Sequence, residues 1–237
     1  MTPTDVPGLL HALAEAGDRA AARRAARDVL QEACVASGTS IEATAPEAVR
    51  ELLRLLERHD TPWVTDVLGV LDATAFYLGE WEKQQQMSSQ PGMYDAEVGW
   101  ETAVAELLAP GLDIVRPSLT VRDPEARSMA AALVGDASVE WTADLDLLLA
   151  AEAAESHALA RACQAEAAVT LALRAPAARL PGRVEPWLRD PEAVVRFRVA
   201  RTARTAPAAE DAQLALLADG VYDADRGAME TVWPAEV

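Results

Sequence analysis

Lysine is almost missing from this sequence. Lys83 is the single example, and the remainder of the 21 Lys and Arg residues are arginine. That imbalance reads as codon bias in a GC-rich genome. Aromatics make up 5%, and Val-Thr-Ile-Tyr-Phe runs of strand length are scarce, which argues against β-sheet. The two cysteines, Cys34 and Cys163, lie far apart with no CxxC or Cys/His spacing, so neither a zinc site nor a disulfide framework is expected. Each sits in a helical pattern and is predicted to be a buried free thiol. His11, His59 and His157 include no i, i+4 pair, and no metal site is expected. No stretch of about 18 uninterrupted apolar residues occurs, so no membrane span is expected. The opening "MTPTDVPGLLHALAEAGDRAA" lacks a basic start followed by an apolar run, so no signal peptide is expected and the expected location is cytoplasmic. Nucleophile elbow, phosphate loop and dinucleotide fingerprint are all missing, which predicts no cofactor and a non-enzymatic role.

What is present is alanine, leucine and acid. Hydrophobic residues make up 51% of the 237 residues, and Ala and Leu, both strong helix formers, supply most of them. The formal net charge is −17, which repels nucleic-acid phosphates at long range and favours a basic or neutral partner.

The chain predicts an all-α fold. "RDPEAVVRFRVART", Arg189 to Thr202, has valines enough for a strand, but Asp190-Pro191-Glu192 is a helix start: a capping carboxylate, a proline at the first helical position and an acid at the positive end of the dipole. On a helical wheel Val195, Val199 and Thr202 fall on one side, with Ala203 nearby, and Val194 and Phe197 on the other. Such a helix is packed from two sides. "RDPEARSMAAALVG", Arg122 to Gly135, opens identically with Asp123-Pro124-Glu125. Both copies carry an arginine near the end of the first turn, Arg127 and Arg196. These are 69 residues apart, and near half that distance stands Arg161, giving steps of 34 and 35. A further helix precedes each of the three. Helix pairs recurring at about 34 residues predict an α-solenoid.

The N-terminal part is built the same way, with "VPGLLHALAEAG" and "DRAAARRAARDVLQEACVAS" as one pair, "APEAVRELLRLLERHD" and "TPWVTDVLGVLDATAFYLGEW" as the next. The reading is a single domain of about five antiparallel helix pairs over 1–237. Helix pairs fill 1–81, an exposed polar loop containing Pro91-Gly92 covers 82–99, further pairs fill 100–220, and 221–237 is a tail that caps the array or frays.

"DPEAVVRFRVA" and "DPEARSMAAALVG" resemble HEAT repeats. "GTSIEATAPEAVRELLRLL", Gly38 to Leu56, and "WETAVAELLAPGLDIVRPSLTVRDPEARSMAAALV" are similar to segments of actinobacterial HEAT-repeat proteins, and the resemblance covers roughly residues 7–205. It departs at Ala36-Ser37, where the family often has His-Gln, and at Ile41, where it has Tyr; a ligand site at that turn would be altered here. The resemblance implies a structural ladder, in which Arg127, Arg161 and Arg196 pair with turn aspartates such as Asp123 and Asp190 of adjacent repeats. It fixes fold better than function.

Arg198 and Arg201 have no place in such a ladder and are candidates for a partner-binding concave face. Of the six tryptophans, Trp81 and Trp100 flank the loop and are the candidate anchors. Trp63, Trp141, Trp187 and Trp233 read as packing residues, Trp187 within the short helix before Asp190. The leading expectation is a binding or scaffold protein for a protein or peptide, for example an immunity or regulatory protein. The alternatives are a small-molecule self-resistance or tailoring protein, marked by an apolar pocket near Trp81, Trp100 or Trp141, and more remotely a DNA glycosylase for alkylated bases, marked by a basic channel.

Overall fold

Three aspartates begin helices by accepting first-turn N–H groups. Asp5 Oδ1 takes the Gly8 N–H at 3.0 Å, Asp18 Oδ1 that of Ala21 at 2.7 Å, and Asp123 Oδ1 that of Glu125 at 3.0 Å. The computed structural model describes residues 4–35, 40–58, 62–87, 99–174, 180–205 and 212–232. Among them the chain is all-α: α1 Val6–Ala14, α2 Arg19–Val29 followed by a π-helical turn Leu30–Cys34, α3 Ala45–Arg58, α4 Val64–Met87, α5 Gly99–Val115 followed by a 3₁₀ segment Arg116–Thr120, α6 Pro124–Ala137, α7 Trp141–Ala154, α8 Ala158–Arg174, α9 Leu180–Leu188, α10 Ala193–Ala203 and α11 Ala212–Val232. The β structure among these residues is one antiparallel bridge, Val35 to Ile41. No described helix is long and apolar enough to cross a membrane.

The chain divides into two compact units, Met1–Ser118 and Leu119–Val237. In the first, α3 is the central element, packed by α1, α4, α5 and the π-helical turn, while α2 packs on α1 and α4. The sequence of α3 explains its position. Ala45, Ala48, Val49, Leu52, Leu53 and Leu56 recur every three or four residues and are all buried. Each fully buried leucine contributes about 1.5–3 kcal/mol. Gly111 lets α5 come close, since a Cβ there would lie 2.6 Å from Leu53 Cδ1. The Trp63 indole donates to the Ala16 carbonyl at 3.0 Å, tying the turn after α1 to the start of α4.

In the second unit α8 lies between α6 and α10; α7 packs on α8, and α9 and α11 pack on α10. Its composition permits this. Ala160, Ala162, Cys163, Ala165, Ala167, Ala168, Val169, Leu171 and Ala172 are buried nearly all round the helix, and small side chains admit neighbours from both sides. α6 comes close at Gly135, where a Cβ would stand 2.9 Å from the Ala167 Cβ and 3.0 Å from its Cα.

Three expectations need correction. The loop 82–99 is helical at its start, because α4 runs on to Met87; Glu, Lys, Gln and Met are all good helix formers, so a polar composition did not end the helix. Residues 88–98 lie outside the described ones. Of the tail after Gly220, residues 221–232 are the second half of α11; Tyr222 stacks on Phe197, and Asp225 and Met229 are buried. Pro191 does not stand at the first helical position of α10, which starts two residues later at Ala193. Asp190 sits before that start, accepting the Glu192 N–H at 2.8 Å.

Candidate functional site

Arg127, Arg161 and Arg196 are each the fourth residue of α6, α8 and α10 respectively. Arg127 binds Glu155 in bidentate fashion, Nε to Oε2 at 2.5 Å and Nη2 to Oε1 at 2.8 Å. Arg196 binds Asp225 likewise, Nε to Oδ2 at 2.8 Å and Nη2 to Oδ1 at 2.7 Å. The third donor of both does the same work: Nη1 of Arg127 bonds the Val121 and Arg122 carbonyls, and Nη1 of Arg196 those of Asp190 and Pro191. Arg161 makes a single bond, Nη2 to Asp190 Oδ1 at 2.7 Å, and its buried Nε has no hydrogen-bond partner among the described residues. The three rungs span 28, 29 and 29 residues. Asp123, named with the ladder, caps α6. Glu155 and Asp225 were not singled out from the sequence.

The Arg127 rung perturbs its acid. Burial opposes the ionisation of Glu155, but the bonds from Arg127 and from the His157 and Ser156 backbone outweigh it and hold the carboxyl below the usual range. Glu152 goes the other way: burial raises it, with Trp187 and Arg161 only partly offsetting. The hydrogen bonds to Glu155 and Asp225 push the Arg127 and Arg196 guanidiniums up, so both stay charged.

Arg198 and Arg201 converge on one residue of α8. Arg198 Nη1 meets Glu166 Oε2 at 2.8 Å, Arg201 Nη2 meets Oε1 at 2.9 Å, and the Thr202 hydroxyl donates to Oε1 at 3.0 Å. The Arg198 side chain is 14% exposed, that of Arg201 39%, and that of Glu166 16%. The sequence held a signal for this hub. Ala132, Glu166 and Arg201 each fall five residues after the ladder arginine of their helix, so the 35-residue step that relates Arg161 to Arg196 also relates Glu166 to Arg201. All three are half-buried, and they lie on helices packed in the order α6, α8, α10. The second unit thus presents, at one register, an apolar, an acidic and a basic residue in succession.

The tryptophans are dispersed. Trp100 is half-buried as the second residue of α5, and Trp81 stands in α4 with its side chain outside what is described. Trp141 is 36% exposed and donates to the Ser138 carbonyl at 3.0 Å, Trp187 is buried, and Trp233 and His59 lie outside the described residues. Cys34 and Cys163 are buried free thiols. Among the described residues no group of three His, Cys, Asp or Glu is placed to hold a metal ion. Comparison with protein-family models, with curated proteins and with solved structures finds no match.

Proposed function

We propose that this chain is an α-solenoid of HEAT type, as its resemblance implies, and that it is a non-enzymatic protein that binds a protein or peptide on the face carried by its second helices. The observation that carries this is the repeated rung. Three alternate helices, α6, α8 and α10, place an arginine at the same position and anchor it to an acid 28 or 29 residues on, which is how a stack holds equivalent faces in register. That leaves Ala132, Glu166 and Arg201 half-buried at one register of three packed helices. With a net charge of −17, long-range attraction favours a basic or neutral partner, and affinity falls as salt rises. A cytoplasmic immunity or regulatory role fits this chemistry, and the two free thiols fit a reducing compartment. The test is affinity capture from the native host with the full chain, followed by reconstitution. A stoichiometric protein that binds the purified chain in a salt-dependent way supports the reading. Turnover of a metabolite by the chain, with no such protein recovered, defeats it.

A further inference from the structure

We propose that the Arg161 rung is operated by a proton: while Glu152 of α7 is protonated, Arg161 serves Asp190 alone, and when Glu152 releases its proton to solvent the carboxylate draws Arg161 away from Asp190. The inference stands apart from the binding role above. The outer rungs commit all three nitrogens of the guanidinium, Nε and Nη2 to one carboxylate and Nη1 to two carbonyls. Arg161 makes one bond, Nη2 to Asp190 Oδ1 at 2.7 Å. Its Nε is buried and meets no acceptor among the described residues. A buried N–H without an acceptor costs stability, so a carboxylate within reach will take it.

Such a carboxylate stands nearby. Glu152 is half-buried on α7 and accepts a hydrogen bond from the buried Trp187 indole of α9. Arg161 attracts its charge and Asp190 repels it, so two carboxylates and one guanidinium meet where α7, α8, α9 and the turn before α10 come together. With both acids ionised, the group carries one negative charge in excess. The Asp190 side chain is only 13% exposed and that of Arg161 24%, so water screens the excess poorly and a proton removes it. Glu152 is the acid that takes the proton. Asp190 Oδ1 already accepts from Arg161 and from the Glu192 N–H at 2.8 Å, whereas at Glu152 burial is the largest influence and opposes ionisation. Neighbouring charges are engaged elsewhere: Glu155 of α7 is held by Arg127 of α6, and Arg189 pairs with Glu185. The partner of Arg161 therefore depends on whether Glu152 holds its proton.

The test is a pH titration of the full chain labelled with ¹⁵N, reading two side-chain signals, the Trp187 indole N–H and the Arg161 Nε–Hε. The Trp141 indole, which donates to the Ser138 backbone carbonyl, is the internal control. The expected result is that the Trp187 and Arg161 signals move together through one step, with a midpoint above the ordinary glutamate value of about 4.3, while Trp141 does not follow. Glu152→Gln should fold and lose that step from both signals. Asp190→Asn should move the midpoint down, because the charge that repels ionised Glu152 is gone. A half-buried acid with no hold on the rung predicts a Trp187 step and an Arg161 signal that stays still, and that outcome overturns the proposal. So does a step that persists in Glu152→Gln, or the lack of any step at Trp187. If Asp190→Asn unfolds, the comparison of the native chain with Glu152→Gln decides alone.

Discussion

Replacing Arg127 by alanine removes four hydrogen bonds together: two to Glu155, at 2.5 and 2.8 Å, and two to the Val121 and Arg122 carbonyls, at 2.8 and 2.9 Å. The stranded Glu155 side chain is only 4% exposed, against 15% for Arg127. Removing one partner of a buried pair costs about 3–5 kcal/mol, because the other charge is left desolvated. Glu155 keeps the His157 N–H at 2.8 Å, which places the cost at the low end, about 3 kcal/mol. At about 2–4 °C per kcal/mol for a chain of this size, the thermal midpoint falls by about 6–12 °C. Arg189→Ala is the control. Its pair with Glu185 is exposed, 71% and 46%, and is worth at most a few tenths of a kcal/mol by the rule for surface i, i+4 pairs. The pH dependence has a definite sign. The Glu155 carboxyl is held below its ordinary value, so its stabilisation is present above about pH 4.3 and is lost as pH falls through the folded value. The deficit of Arg127→Ala therefore shrinks in acid. Equal midpoints for Arg127→Ala and Arg189→Ala at pH 7, by calorimetry, would refute the reasoning.

Other outcomes follow from the same geometry. Gly135→Ala forces α6 and α8 apart, because the new methyl meets the Ala167 backbone at 3.0 Å, and should cost about 1–3 kcal/mol; Gly111→Ala meets only the tip of Leu53 and should cost less, which urea titration of the pair will rank. Burial pushes the Cys34 thiol up to about 11, with Thr74 lowering it in part, so a disulfide-exchange reagent at pH 8 should label Cys34 only after denaturation; labelling of the native chain at the denatured rate contradicts its placement. Glu152 is raised by burial, so its ionisation costs stability as pH rises through the folded value. Glu152→Gln should raise the melting midpoint at pH 7 and leave it unchanged at about pH 3.5, below the unfolded carboxyl value. No gain at pH 7 would count against that burial.

The helical class was legible because composition and periodicity act locally: Ala and Leu dominate, and α3 writes its buried face plainly as Ala45, Ala48, Val49, Leu52, Leu53 and Leu56. The end of the chain was not. α11 contains Gly220 and Gly227, and its contacts are Tyr222 stacked on Phe197 at 5.0 Å, Arg204 over the Tyr222 ring at 4.1 Å, and Asp225 on Arg196. Those partners lie on α10 or, for Arg204, cap its end, so the second half of α11 is stabilised by a surface no local pattern discloses. The same holds for the candidate site. Arg198 and Arg201 stood out as arginines without a ladder role, but their common partner Glu166 needed the 35-residue step to be applied to acids as well as to bases.

The displaced start of α10 shows which signal governs when two disagree. Asp123-Pro124-Glu125 and Asp190-Pro191-Glu192 are identical tripeptides, yet Arg127 follows its aspartate by four residues and Arg196 by six. Aligning the tripeptides would put Arg196 half a turn off the rung. Aligning the arginines makes each the fourth residue of its helix and delivers both Nη1 groups to the carbonyls five and six residues earlier. A capping side chain is worth about 1 kcal/mol, whereas breaking a buried pair costs about 3–5 kcal/mol. Asp190 is also claimed by Arg161 of α8 at 2.7 Å and is only 13% exposed, so its carboxylate is positioned by α8. The rung therefore sets the register, and the cap motif yields two residues to it.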